Sequence, residues 1–168
     1  VRSRGLGDVY KRQGHKEEAA AFALIACPQG YQVLSIDLPG HGERQNRDEV
    51  FTPWTAVPDI QAALYWSKQH WKTVSLRANS IGAYFAMLAL DTPRRALLVS
   101  PIVDMERLIL TMMGWAGVSE EQLKEQGEIA TSFGQTLSWT YLCWVREHPV
   151  HHWDCPICIL YGSGDNMT

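Results

Sequence analysis

The chain of 168 residues has no apolar run near the ~20 residues that a membrane-spanning helix needs. It has no excess of positive charge either. Lys plus Arg number 15 and Asp plus Glu 18, a formal net charge of −3. No global basic field therefore draws it to nucleic acid or to an anionic membrane. Internal repeats and low-complexity tracts are absent, and the 13 Gly and 8 Pro are spread along the length. That excludes solenoids and flexible arrays. With 46% apolar and 20% charged residues, a disordered tail is excluded as well. Cysteine is sparse, at four residues. Without a recognisable secretory segment, those four point to a reducing, cytoplasmic compartment. Tryptophan, by contrast, is abundant, with seven residues.

Residues 1–13 show no helical or alternating period and no apolar core of a targeting signal. We read them as a non-native leader and count the fold from Gly14. The last residues, Tyr161 to Thr168, follow directly on an apolar strand-like run. The expectation is a single-domain fragment, 14–168, that lacks both native ends.

From Gly14 onward, strand and helix signals alternate. Lys16 to Cys27 reads as a helix with Ala19, Phe22, Ala23 and Ala26 on one face, stopped by Pro28-Gln29-Gly30. Gln32–Ile36 has the β-branched, apolar character of a buried strand. Trp54 to about His70 predicts a helix with Thr52 or Thr55 as cap and Pro58 near its first turn. Further strands are expected at Thr73–Leu76, Ala96–Ser100 and Pro156–Tyr161, and a helix at Ile81–Leu90. This order argues for an α/β fold, a mostly parallel sheet with helices on both faces. About fifty residues, 101–154, carry helical signals only and predict a helical cap. Within them Ser119 and Gln122 are spaced as a capping box, and Leu137, Tyr141, Trp144 and Val145 share a helical face.

The most informative stretch is Ala78-Asn79-Ser80-Ile81-Gly82, between a strand and a helix. A small-x-Ser-x-Gly pentad in that setting makes a sharp turn whose central residue is strained. The flanking positions are expected to be small because they come close together, which Ala78 and Gly82 satisfy. The turn holds the Ser80 hydroxyl at the carboxyl edge of the sheet, where the following helix and the Ile81 N–H can stabilise an oxyanion. The plainer alternative is that Ser80 caps the helix.

Four segments together resemble the α/β-hydrolase superfamily, in particular its serine esterase, thioesterase and aminopeptidase-like members. They are Gly14-His15-Lys16-Glu17-Glu18, Asp37-Leu38-Pro39-Gly40-His41-Gly42, the Ser80 pentad, and Leu160-Tyr161-Gly162-Ser163-Gly164-Asp165. The resemblance implies hydrolysis of an ester, thioester or amide of a small-molecule or peptide substrate, with no cofactor and no metal. It implies Ser80 as nucleophile, Asp165 as the acid of a catalytic triad, and the Ile81 and His15 backbone N–H groups as oxyanion donors. Asp104, after the third strand, is the alternative acid. Asp37 and His41 are implied to be structural. Two departures stand out. Ala78 replaces the more usual Gly, and none of the six histidines (15, 41, 70, 148, 151, 152) occupies the family's general-base position. That base is expected beyond Thr168, so the chain by itself is expected to be inactive. A non-catalytic member of the same fold, binding a small apolar ligand or a protein partner under the cap, is the alternative from another class.

Three other signals compete. Asp37-Leu38-Pro39-Gly40 echoes a GTPase Asp-x-x-Gly, but neither a phosphate loop nor a guanine-reading Asn-Lys-x-Asp accompanies it. Cys155-Pro156-Ile157-Cys158 beside His148, His151 and His152 has the residue types of a zinc or redox site. In an extended segment, however, residues three apart point to opposite faces. Cys27 and Cys143 read as buried core thiols. Trp115, Trp139, Trp144 and Trp153, with Met112 and Met113, either pack the cap or line an apolar acyl pocket.

Overall fold

A computed structural model describes residues 14–47, 49–150 and 152–165. The leader expected at 1–13 lies outside them, as does His151. The described residues form two compact units, one ending at Val74 and one beginning at Ser75.

The first unit is helix and loop. A single 3-10 turn, Lys16–Glu18, leads into α1 (Ala19–Ala26), and a second such turn ends at Gly30 in the left-handed region, φ 84°. The expected face of α1 is the more covered one, with Ala26 buried, whereas Leu24 and Ile25 are exposed. Cys27 sits in the turn after α1 and is exposed, not a core thiol; Cys143 is half-buried. The run Gln32–Ile36 is not a strand. It belongs to neither sheet, and Leu34 and Ile36 stay partly exposed. An extended apolar run becomes a strand only when a neighbour supplies its ladder of hydrogen bonds, and composition cannot supply that neighbour. α2 spans Pro53–His70. The Thr52 N–H donates to Thr55 Oγ1 (3.1 Å), Pro53 opens the helix where no N–H is needed, and Pro58 lies inside it.

The second unit holds a three-stranded parallel sheet in the order β1 (Leu76–Asn79), β2 (Ala96–Val99), β5 (Ile157–Leu160). In register, Asn79 pairs with Val99, and Val99 with Leu160. All three strands thus end level at their carboxyl edge. β1 begins three residues later than its composition suggests, because its ladder with β2 opens at Leu76 opposite Ala96. Between them runs α3 (Ser80–Ala89), which packs on β1 and β2 and buries Ala83, Tyr84, Phe85, Ala86 and Met87. The sheet is not covered on both faces throughout. Every residue of β5 is exposed, so its Ile-Cys-Ile-Leu sequence marks an open edge, not a buried strand.

Residues 101–154 are not helical only. α4 (Met105–Ala116), α5 (Glu120–Gln126) and α6 (Trp139–Glu147) surround an antiparallel hairpin, β3 (Glu128–Ala130) and β4 (Thr136–Ser138). Its turn needs Gly134 at φ 84°, and the Thr131 N–H donates to the Gln135 carbonyl at 2.8 Å. The expected box at α5 forms, with the Gln122 N–H donating to Ser119 Oγ (3.2 Å) and the Ser119 N–H to Gln122 Oε1 (2.8 Å). Leu137 belongs to β4, so the buried face of α6 is Leu142 and Val145. Arg146 ties the helices together. Its guanidinium meets Glu106 of α4 at 2.6 Å and grips Glu120 of α5 through two 2.8 Å bonds. Met112, Met113 and Trp153 are core residues, and the Trp153 indole N–H donates to the Leu90 carbonyl (3.0 Å). Trp115 is exposed against Phe133, and Trp144 stacks on His148. Among the described residues, no helix is long and apolar enough to cross a membrane.

Candidate functional site

The chain leaves β1 and enters α3 with no intervening loop. Asn79 is extended (φ −119°, ψ 141°), and Ser80, the next residue, has φ 47°. A residue with a Cβ in the left-handed region is strained by about 1–3 kcal/mol and persists only where its surroundings hold it. The neighbouring strand's exit does part of the holding, since the Ile102 N–H donates to the Ser80 carbonyl (3.3 Å). Ser80 opens α3 and does not cap it; the helix start carries no side-chain cap bond. Among the described residues Ile81 follows in the first turn, where N–H groups have no intrahelical acceptor. The steric reason expected for Gly82 is not found. A Cβ there would meet no atom within 4 Å.

Asp165 lies past the end of β5. One carboxylate oxygen, Oδ2, accepts from the Ser100 hydroxyl and from the Gly162 N–H (2.8 Å). The Ser100 hydroxyl, then the Gly162 N–H, hold this carboxyl below its ordinary value, with burial opposing them. Asp104, the alternative acid, follows β2. It is the N-cap of α4 and accepts from the Arg107 N–H at 2.9 Å. Ser80 and Asp165 therefore follow the outer strands of the sheet, at its carboxyl edge, with β2 between them. Two strand spacings put the ends of β1 and β5 about 10 Å apart.

No described histidine bonds to either residue. The ring Nδ1 atoms of His41, His70 and His148 lie 2.8–2.9 Å from the carbonyls of Pro39, Trp66 and Trp144, and that of His15 lies 3.0 Å from Glu17. His15 belongs to the first unit, where it precedes the Lys16–Glu18 turn.

Asp37 joins two segments of the first unit through its carboxylate. Its side chain is only 6% exposed and accepts from the Lys16 N–H (2.7 Å), the Lys16 ammonium (3.2 Å) and the Glu43 N–H (3.2 Å). Gly42, at φ 50°, is required beside it, because a Cβ would overlap the carboxylate. Burial pushes the Asp37 carboxyl upward, but the Lys16 and Glu43 donors outweigh it and hold the carboxyl below its ordinary value. His41 packs edge-on against Phe51.

Cys155 is half-buried, Cys158 is exposed in β5, and both are free thiols. Among the described residues, no group of three or more His, Cys, Asp or Glu side chains is placed to hold a metal ion. An open cleft of about 410 Å³ runs along α4, lined by Asp104, Glu106, Arg107, Leu110 and Thr111. It does not include Ser80. The contribution of Ser100 is invisible in the sequence, because a serine before a proline at a strand end is ordinary turn composition. Comparison with protein-family models finds no match to this chain, and comparison with curated proteins finds none either.

Proposed function

We propose that the chain is the core of a serine hydrolase of the α/β-hydrolase type, cleaving an ester, thioester or amide through an acyl-enzyme on Ser80. The observation that carries this reading is the left-handed Ser80 between β1 and α3, at the carboxyl edge of a parallel sheet. Strain of this kind concentrates at functional turns, and this one presents a hydroxyl beside uncapped helix N–H groups.

In the proposed reaction, Ser80 Oγ attacks the substrate carbonyl carbon and gives its proton to an imidazole. The carbonyl oxygen gains charge and is met by the Ile81 N–H. The leaving group takes the proton from the imidazolium. Water then repeats the sequence and releases the acid. Removing one oxyanion donor costs on the order of 10²–10³ in turnover. Asp165 would orient the imidazole and stabilise its charged form. The resemblance implies that the histidine base follows the acid in the chain, and no described histidine bonds Ser80 or Asp165. A hydroxyl without such a base is a weak nucleophile at neutral pH.

The test is a fluorophosphonate probe on the protein expressed from its full reading frame, read by intact mass. A single adduct that disappears in Ser80→Ala is the expected result. No adduct on a folded protein refutes the hydrolase and favours a binding module of the same fold.

A further inference from the structure

Two residues other than glycine have positive φ among those described, and both are serines that directly follow adjacent parallel strands. Ser80 follows β1. Ser100 follows β2, at φ 45°. Its N–H donates to the carbonyl of Leu160, the last residue of β5 (2.7 Å), which carries the β2–β5 ladder one step beyond β2. The chain then turns sharply into Pro101. A residue before proline is normally driven to extended backbone, so this conformation is doubly unfavourable. What it achieves is specific. The turn directs the Ser100 hydroxyl across β5's end onto Asp165 Oδ2, the same oxygen that the Gly162 N–H reaches.

We infer that Ser100 is a positioning residue that fixes the Asp165 carboxylate at the carboxyl edge of the sheet, so that it faces the imidazole serving Ser80. The inference rests on the hydrolase reading. The geometric argument has two parts. The Asp165 N–H donates to the Gly162 carbonyl (3.0 Å), so the Gly162–Asp165 turn is closed on itself. The Ser100 hydroxyl ties that turn to the end of β2. One hydroxyl thus joins the Asp165 carboxylate to the end of β2, the strand in register with the one that Ser80 follows. With Oδ2 occupied by two donors, Oδ1 is the oxygen left to receive an imidazole N–H. The direction of the Asp165 shift, downward with the Ser100 hydroxyl as its first cause, agrees with that bond.

The experiment compares wild type, Ser100→Ala and Ser100→Gly, all from the full reading frame. Alanine removes the hydroxyl and keeps the backbone strain. Glycine removes the hydroxyl and relieves the strain, so it folds even if alanine does not. Two readouts are taken: the Asp165 carboxyl titration by ¹³C NMR, and the pH profile of fluorophosphonate labelling at Ser80. The expected result is an Asp165 titration that moves up toward 3.8 in both variants. Labelling should slow by on the order of tenfold, and its pH profile should shift. A wild type that labels, with variants that label equally fast on the same profile, overturns the positioning role and leaves the hydrolase reading intact. A wild type that does not label overturns the hydrolase reading and the positioning role with it, whatever the titration shows.

Discussion

Asp37 offers the sharpest test of how the first unit holds together. Its carboxylate gathers three donors across a sequence gap of twenty-one residues, and only 6% of the side chain is exposed. A hydrogen bond to a charged group contributes roughly 1.5–3 kcal/mol. Asp37→Ala removes all three bonds and leaves two backbone N–H groups without their acceptor. Such losses are not additive, and the Lys16 side chain is a third exposed, so the total is about 3 kcal/mol. Asp37→Asn keeps the volume and one acceptor oxygen but turns an amide group toward donors, so its cost is about 2 kcal/mol. A unit of roughly sixty residues has about 3–9 kcal/mol to lose. The alanine variant should therefore melt the 14–47 segment under conditions where the asparagine variant merely loosens it. Amide hydrogen exchange at Lys16 and Glu43 reads this directly, because those two N–H groups bond to the carboxylate itself. The acid limb gives a second reading. The folded Asp37 carboxyl lies below its ordinary value of 3.8. Its stabilisation is therefore complete above the ordinary carboxylate range and disappears as pH falls through the folded value. Asp37→Asn should lack that part of the acid loss. Unchanged exchange at both amides in Asp37→Asn would refute the argument.

Two further substitutions test α3. The Tyr84 hydroxyl is buried with no partner among the described residues, and burial pushes its phenol up to about 12. Tyr84→Phe should be neutral or stabilising by up to about 1–2 kcal/mol at pH 7 in denaturant unfolding. Between pH 10 and 12 the unfolded chain ionises first, so wild-type stability falls and that of the phenylalanine variant falls less. A loss above 1 kcal/mol at pH 7 would show that the hydroxyl has a partner. Gly82→Ala should raise the melting temperature, worth about 0.5–1 kcal/mol, because a Cβ there meets open space within a helix. A lower melting temperature would restore the crowding argument made from the pentad.

What could be read in the sequence was local. The Ala78–Gly82 pentad announces a strained serine because strand, turn and helix follow one another within ten residues, and φ 47° at Ser80 agrees. The box at Ser119 and Gln122 forms because both partners lie within one turn. What could not be read was relational. Gln32–Ile36 has strand composition, yet a strand is defined by its neighbour, and none pairs with it here. β5 has the composition of a buried strand and is fully exposed. The hairpin at 128–138 was legible in principle, since Gly134 marks a five-residue loop. The helical reading of 101–154 carried Leu137 across the boundary of α6 and concealed it.

The same division explains why Ser80 could be found from its neighbours and Ser100 could not. Both residues bear the same left-handed strain and stand at the same edge of the same sheet, one strand apart. Ser80 sits in a turn whose shape is dictated by the residues either side of it. Ser100 is held by Leu160 and Asp165, sixty or more residues later. Parallel pairing makes the two equivalent in space, because Asn79 and Val99 are in register and each is followed by its serine. Strain of about 1–3 kcal/mol at each position selects against both unless something is gained. Glycine would relieve that strain at either place, at the cost of the hydroxyl. At Ser100 the hydroxyl's partner is identified, the carboxylate of Asp165. At Ser80 the hydroxyl has no bonded side-chain partner among the described residues, and the strain is held from the main chain, where the Ile102 N–H donates to the Ser80 carbonyl. Two strained serines in register at one sheet edge are therefore a stronger argument for the proposed site than either serine alone.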